Sequence, residues 1–460
     1  MAESIPSQIL RRATPHASLA ALGIALRSRD LLAPIRDSVQ IPQKTVQYSP
    51  FDKLYDCFIG ILAGIHGVCE INRVLRGDRA LQDAFGRRAC AEQSTIQDTL
   101  DACTPQSVQQ MEAAMDRLFQ AQSAASRHDY SQAYQILDVD LTGFPCGPKA
   151  AFATKGYFEQ QKNRRGRQVG RVLATHYDEI VVERLYPGSA RLTEALQPLV
   201  EAAAQTLCLT PAQRARTLIR VDAGGGSVGQ VNRLLEAGYQ VLCKDYSSVR
   251  AALLGKRVTD WIDDPKVRGR QVGWVPGPAP EYVRPVRRIA VRCRKKNGQW
   301  AYGVLIVTLE PEEVLGLSGQ PVACVAEPRS SALALAALYD QRGGACETSF
   351  KGDKQGLGMT RRKKKRFEAQ QMLVQLGALA HNVLVWARRW MQPAVAGVRR
   401  YGIQRLVRDV FGIAGVVETS GAEPGCRILL NRADRLAHRL LAAFRCLVGT
   451  HHTVLISGEP

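Results

Sequence analysis

Residues 339–358 read "YDQRGGACETSFKGDKQGLG", and the dense basic run "RRKKKRF" follows at 361–367. Tyr339, Arg342, Glu347 and Lys354 fall here at near-helical spacing. Glu347 is thus a carboxylate set among cations, and the rest of the chain is cationic too. The formal charge over 460 residues is +20, with a pI near 9.7. A clustered excess of that size points to a polyanionic partner, either nucleic acid or an anionic membrane.

The membrane reading fits poorly. The longest apolar run, "FIGILAGIHGV" (58–68), is broken by Gly and His and is too short to span a bilayer. The N-terminus, "MAESIPSQILRRATPH", lacks the apolar centre of a signal peptide. Twelve cysteines are scattered with no C-x-x-C pair, which argues against a zinc site and a disulfide framework. Most of them read as buried thiols in a reducing cytoplasm.

Hydrophobic residues make up 45% of the chain, enough for a globular protein of two or three domains. Residues 1–50 show little periodicity and read as a loosely ordered arm. Residues 51–127 carry apolar positions at three- and four-residue spacing, as short helices do. Ser94 or Thr95 is placed to cap one of them. Short basic helices around a tight turn suit a helix-turn-helix DNA reader, and an ordinary helical bundle accounts for the same pattern. From residue 134 the texture changes. "YQILDVDLTG", "VGRVLATHY" and "EIVVERLYPG" read as strands, then a helix over 189–207, the strand "ARTLIRVDAGGG", the helix "SVGQVNRLLEAG" and the strand "YQVLCKD". Strand, strand, strand, helix, strand, helix, strand is a mixed α/β layer in the order of a ribonuclease H-like sheet. "VRRIAVRCRKKNGQWAYGVLIVTL" signals a hairpin turning at "KNGQ".

The expected organisation is therefore a helical N-terminal DNA-binding region at 1–130 and a first catalytic part at 131–250. A β-rich insertion at 251–330 interrupts the ribonuclease H-like sheet. The rest of the catalytic domain, with the Glu-bearing helix, occupies 331–400, and a C-terminal region 401–460.

Three acidic places stand out. Asp138 and Asp140 alternate with Val139 in "LDVDLTG" and so share one strand face. Acids there are costly unless they are paired, hydrogen-bonded or bound to metal. Asp222 ends the strand "IRVDAGGG", at the edge where α/β sheets gather their functional groups. Glycines 224 to 226 leave room there for a bulky ligand. Glu347 is the third. Each has a plainer reading: an Asp before Gly makes a turn, and a Glu on a helix faces solvent. Together they suit two Mg²⁺ ions acting on a phosphodiester, since Mg²⁺ takes a few carboxylates plus water and phosphate oxygens.

These blocks resemble the DDE transposases of bacterial insertion sequences, in the group with a Tyr–Arg–Glu–Lys signature, Y-x2-R-x3-E-x6-K. Tyr339 and Arg342 fit, and six residues separate Glu347 from Lys354. Four residues, rather than three, separate Arg342 from Glu347. "LDVDLTG" is similar to the family's first block, which favours Asp140 over Asp138, and "RVDAGGGSVGQVNRLLEAGYQVLCK" to its second. The resemblance spans roughly residues 80–400. It implies Asp140, Asp222 and Glu347 as catalytic metal ligands, with Asp138 the alternative, and Mg²⁺ as cofactor with Mn²⁺ able to substitute. Tyr339, Arg342 and Lys354 would hold DNA phosphates, joined by Arg361, Arg362 and Lys363 from the basic run. Partners would be double-stranded DNA, both terminal inverted repeats and target, and a second copy of the chain in a synaptic dimer. The setting would be the bacterial cytoplasm, on the nucleoid when DNA is bound. Independently of the resemblance, Gly166, Arg167, Gln168 and Arg171 form a polar block that is a candidate lining for a DNA channel, and an exposed basic turn accounts for the same residues. The rival readings are a structure-specific nuclease on the same fold and a catalytically inactive DNA-binding relative. Trp274 and Trp300 are candidates for base stacking, whereas Trp386 and Trp390 read as core. His381 and Asn382 read as packing or capping residues.

Overall fold

The computed structural model describes residues 9–44, 47–158, 161–319, 328–420 and 425–458. Two compact units emerge. One holds residues 124–145 and 153–348, and the other holds residues up to 123, 146–152 and those from 349 onward. In chain order the strands are β1 (Ile9–Thr14), β2 (Gln135–Pro145), β3 (Thr154–Phe158), β4 (Gln161–Ala174) and β5 (Glu179–Pro187). Next come β6 (Thr217–Val221), β7 (Gln240–Lys244), β8 (Ile262–Asp263), β9 (Arg270–Trp274), β10 (Arg287–Arg294) and β11 (Trp300–Val307). The last are β12 (Gly415–Ser420), β13 (Cys426–Leu430) and β14 (Thr453–Ile456).

The first unit is a mixed α/β layer built on one sheet of order β3-β4-β2-β6-β7-β11-β10-β9-β8, with β5 also paired to β4. β2 runs antiparallel to β4 and parallel to β6, and β6 is parallel to β7. Parallel neighbours need crossovers. The helix Leu192–Thr206 lies between β5 and β6, and the helix Val228–Glu236 connects β6 to β7. The alternation read in "QILDVDLTG" is that of β2, whose Val139 is fully buried on one face. On the other face Ile136 and Leu218 join an apolar core with Leu242, Leu305, Leu335 and Leu338. Those last two belong to the helix Pro328–Arg342, which covers this face together with the helix Pro311–Ser318.

Residues 251–330, expected as a β-rich insertion interrupting the sheet, include β11, which pairs antiparallel with β7 and so joins the same sheet. The hairpin β10–β11 forms as read, with Gly298 at φ +79° in its turn. That left-handed angle is open to Gly at little cost. Residues 320–327 of the segment lie outside the described ones.

The second unit is mainly helical and is organised on the long helix Phe367–Met391. Trp386 is core, as expected, whereas Trp390 is half-buried under the Arg29 guanidinium. His381 packs inside, its Nδ1 2.8 Å from the Asp353 carboxylate. Residues 1–50, expected as a loose arm, contain β1 and the helices Ala17–Ser28 and Ala33–Ser38. β1 pairs with β12, in a four-stranded sheet with β13 and β14. Its partner lies some four hundred residues away, so no local pattern marks it. The helix near Ser94 starts at Gln93 with Glu92 at the N-cap position, so neither Ser94 nor Thr95 caps it. No helix among the described residues is long and apolar enough to cross a membrane.

Candidate active site

The acids are placed by strand register. In the parallel pair β2–β6, Ile136 lies opposite Leu218 and Asp138 opposite Arg220. The last paired positions are Val139 and Val221; Asp140 is the next residue of β2, and Asp222 follows the end of β6. One face therefore reads, along the two strands, an apolar pair, an ion pair and then two acids.

Asp138 is committed to structure. Its carboxylate accepts from Arg220 Nε at 2.6 Å and Nη2 at 2.8 Å, and from Thr175 Oγ1 at 2.7 Å. Both Asp138 and Arg220 are fully buried. Arg220 also donates from Nη1 to the Leu338 carbonyl at 2.6 Å, which pins the helix Pro328–Arg342 over the strand ends. The Asp138 carboxylate therefore holds Arg220 and Thr175 in place as a buried structural ion pair.

One helical turn beyond Leu338, Arg342 reaches the acids. Its Nη2 lies 2.9 Å from Asp140 Oδ2 and its Nη1 3.2 Å from Glu347 Oε1. In an α-helix, five residues turn about 140° past a full revolution, so Arg342 and Glu347 would point apart. Here Gly343–Glu347 form a π-helical turn. Its wider i→i+5 winding brings residues five apart onto one face. The extra residue between Arg342 and Glu347 is thereby absorbed. Cys346 anchors the turn, fully buried, and the Thr348 hydroxyl donates to the Gly343 carbonyl at 3.2 Å.

The surroundings are asymmetric. The Asp140 side chain is 16% exposed and that of Glu347 61%. Asp140 Oδ1 accepts from its neighbour Leu141 N–H at 2.8 Å. Burial pushes the Asp140 carboxyl up to about 7; Arg342 opposes that, and the charges of Asp222 and Glu347 add to it. Burial disfavours the charge on Arg342, but Asp140 and Asp222 overcome it and leave the guanidinium more basic than usual. Its Nε is buried without a hydrogen-bond partner. Tyr339 is half-buried against the apolar core, and burial raises its hydroxyl pKa. Asp222 Oδ1 accepts from Gly224 N–H at 2.8 Å. A Cβ at Gly226 would sit 1.8 Å from the Lys244 carbonyl oxygen, so the protein's own β7 demands that glycine.

Other expected positions fall elsewhere. Arg167 and Arg171 are fully buried, and Arg171 Nε is bonded to Glu183 at 2.7 Å, so neither lines a surface channel. Arg292 is sandwiched between Trp261 and Trp300, at 4.0 and 4.4 Å from their ring centroids, which occupies a face of Trp300. In the other unit the basic run alternates. Arg361, Lys363 and Lys365 are exposed, whereas Arg362 and Lys364 are buried. Arg362 donates from Nη1 to the Ile65 carbonyl at 3.0 Å and to that of Leu357. Burial pushes its pKa down to about 10. It is a structural residue and not a surface contact for a polyanion, because it is buried and its Nη1 is bonded to the main chain. Lys354 is half-buried on the helix Thr348–Gly356.

No cluster of three or more His, Cys, Asp or Glu among the described residues is arranged to hold a metal ion as it stands. The donor types of Asp140, Asp222 and Glu347 nevertheless suit a hard divalent cation, being oxygen only. Between two of them the bridging group is the Arg342 guanidinium. Sequence reading missed Arg220 and the π turn. The signal for Arg220 was a charged residue inside the buried run "TLIRV".

Residues 131–383, more than half of the chain, match the family model of the transposase DDE domain. Among solved structures, a piggyBac transposase synaptic complex with hairpin DNA, determined by cryo-EM, is similar at 13% identity. The match covers 87% of this chain and 82% of that one, with a TM-score of 0.40. No curated protein matches the chain.

Proposed function

The chain belongs to the transposase DDE-domain family, and from that premise we propose that it cuts DNA at the terminal repeats of a bacterial insertion sequence and joins the freed ends to new DNA by a cut-and-paste route. The observation that carries this reading is the register that sets Asp140 beside Asp222 while Arg342 ties Glu347 to Asp140. The strand order β5-β4-β2-β6-β7, antiparallel then parallel, supports a ribonuclease H-like catalytic core.

Asp140, Asp222 and Glu347 would hold the divalent metal, Mg²⁺ or in its place Mn²⁺. When bound, a metal pair supplies Lewis-acid activation of the attacking oxygen and stabilisation of the leaving one. The protein's own residues do the rest. The ion pair Asp138–Arg220 fixes the strand ends and the overlying helix. Tyr339, Arg342 and Lys354, the residues that fit the Tyr–Arg–Glu–Lys signature, would hold phosphates. Arg342 does so as a two-pronged donor and Lys354 as a point charge. Arg361 and Lys363, both exposed, would add sequence-independent phosphate contacts, and the helices before residue 124 would read the repeats. Two copies would pair the two ends in a synaptic complex.

The alternation in the basic run gives a paired prediction. Lys363→Ala changes folding stability by no more than about 0.5 kcal/mol. It lowers the slope of log affinity for DNA against log salt by about 0.9. Arg362→Ala instead leaves two buried carbonyls unpaired and lowers stability by about 1–3 kcal/mol. Urea melts and salt-titrated binding to duplex DNA separate the two.

The function itself is tested with labelled duplex carrying the element's repeat ends, in Mg²⁺ and in EDTA. Cleavage at the repeat end followed by joining to unlabelled DNA, only with metal, is the expected result. Cleavage without end preference and without joined product supports the nuclease reading instead.

A further inference from the structure

The Arg342 guanidinium occupies the carboxylate oxygens that a metal ion would need. It holds Asp140 Oδ2 at 2.9 Å and Glu347 Oε1 at 3.2 Å, while the second oxygen of Asp140 is taken by the Leu141 amide. Its side chain is only 6% exposed, so the positive charge sits at the acids with little water to screen it. The π turn makes this arrangement possible, because without it Arg342 and Glu347 would diverge. Two consecutive glycines, Gly343 and Gly344, open that turn, and a Cβ on Gly344 would meet nothing within 4 Å. Each glycine weakens a helix relative to alanine through its backbone freedom, so the turn is the pliant point of the helical run. The Arg342 Nε, buried and without a partner, is a donor left over for a further acceptor.

Resting on the acid site proposed above, we propose that Arg342 is an internal counter-ion that holds Asp140 and Glu347 together in the metal-free protein and competes with the divalent metal for them. Two carboxylates brought together without a cation repel each other, and the guanidinium neutralises them. A divalent ion at the same oxygens would face a cation at contact distance. Metal binding and release of Arg342 from the acids are then one equilibrium. The freed guanidinium, with its three donor nitrogens, is available to a DNA phosphate. Arg342 is thus a positioning residue before DNA arrives and a phosphate ligand afterwards. The coupling means that metal and DNA favour each other's binding.

The test is calorimetric titration of Mn²⁺ into the full chain without DNA, for wild type, Arg342→Gln, Arg342→Lys and Asp140→Asn. Arg342→Gln is expected to bind Mn²⁺ more tightly than wild type by between about 5- and 150-fold, the range of an ordinary coupling between two competing ligands. Arg342→Lys keeps the charge without the two-pronged reach and falls between the two. Asp140→Asn loses the binding. Unchanged or weaker affinity in both Arg342 variants, while Asp140→Asn still loses binding, overturns the counter-ion role and leaves the acid site standing. If Asp140→Asn binds Mn²⁺ as wild type does, the acid site fails and the counter-ion role falls with it. Thermal melts of each variant with and without Mn²⁺ give a second readout. The gain in Tm on adding Mn²⁺ is expected to be larger for folded Arg342→Gln or Arg342→Lys than for wild type. An equal gain contradicts the proposal.

Discussion

Asp140→Asn and Glu347→Gln each lower DNA cleavage by about 10³-fold or more while leaving DNA binding in place. The expected size follows from metal catalysis, which supplies several kcal/mol of transition-state stabilisation at about 1.36 kcal/mol per decade of rate. Both changes keep the side-chain shape and remove only a charge. Glu347 is largely exposed, so its loss leaves the core untouched. Asp140 gives up its ion pair with Arg342, and Asn keeps an oxygen for the Leu141 amide. Single-turnover cleavage and a binding assay on the same DNA check the pair. Retained cleavage in both variants removes these residues from the chemistry. Asp138→Asn behaves differently: it loses stability first, because its carboxylate holds Arg220 and Thr175.

Arg220→Ala destabilises the unit that carries the acids by about 3–5 kcal/mol, the usual cost of leaving one partner of a buried ion pair alone. Asp138 would stay buried with only the Thr175 hydroxyl as a side-chain donor. The Leu338 carbonyl would lose its bond as well. The loss should appear in chemical denaturation. In the fraction still folded, cleavage should fall too, because the helix bearing Arg342 and the π turn bearing Glu347 lose their tie to the strand ends. The double variant Asp138→Leu, Arg220→Leu should recover much of the stability, since replacing both charges by apolar groups removes the unpaired one. A stability loss below about 1 kcal/mol for Arg220→Ala would mean that the pair is not the anchor its geometry indicates.

The sequence shows the acids because they interrupt strong local patterns. Asp140 breaks an alternating strand, and Asp222 ends a buried one just before glycines. It could not separate Asp138 from Asp140, since both share a face. The partner that sets their surroundings apart, Arg220, is bonded to Asp138, lies 82 residues away and is seen only through strand register. The same limit applies to β1, whose partner β12 is almost a chain length distant. Residues 251–330 look like an insertion because their hairpin is self-contained, yet β11 also extends the main sheet beside β7. The basic run misleads in another way. Composition counts charges but not direction, so Arg362 resembles Arg361 although it is buried with its Nη1 bonded to the main chain. The π turn is the subtlest case. A spacing one residue too long reads as a departure from the Tyr–Arg–Glu–Lys pattern, whereas a local change of helix winding brings Arg342 and Glu347 to 3.2 Å.

The most direct test of the site is a crystal structure of the chain soaked in Mn²⁺, with anomalous scattering used to locate the ions. The expected result is manganese bound by carboxylate oxygens of Asp140, Asp222 and Glu347, with Arg342 turned away from the first and last of these. Manganese bound elsewhere, with Arg342 still holding Asp140 and Glu347, would contradict it.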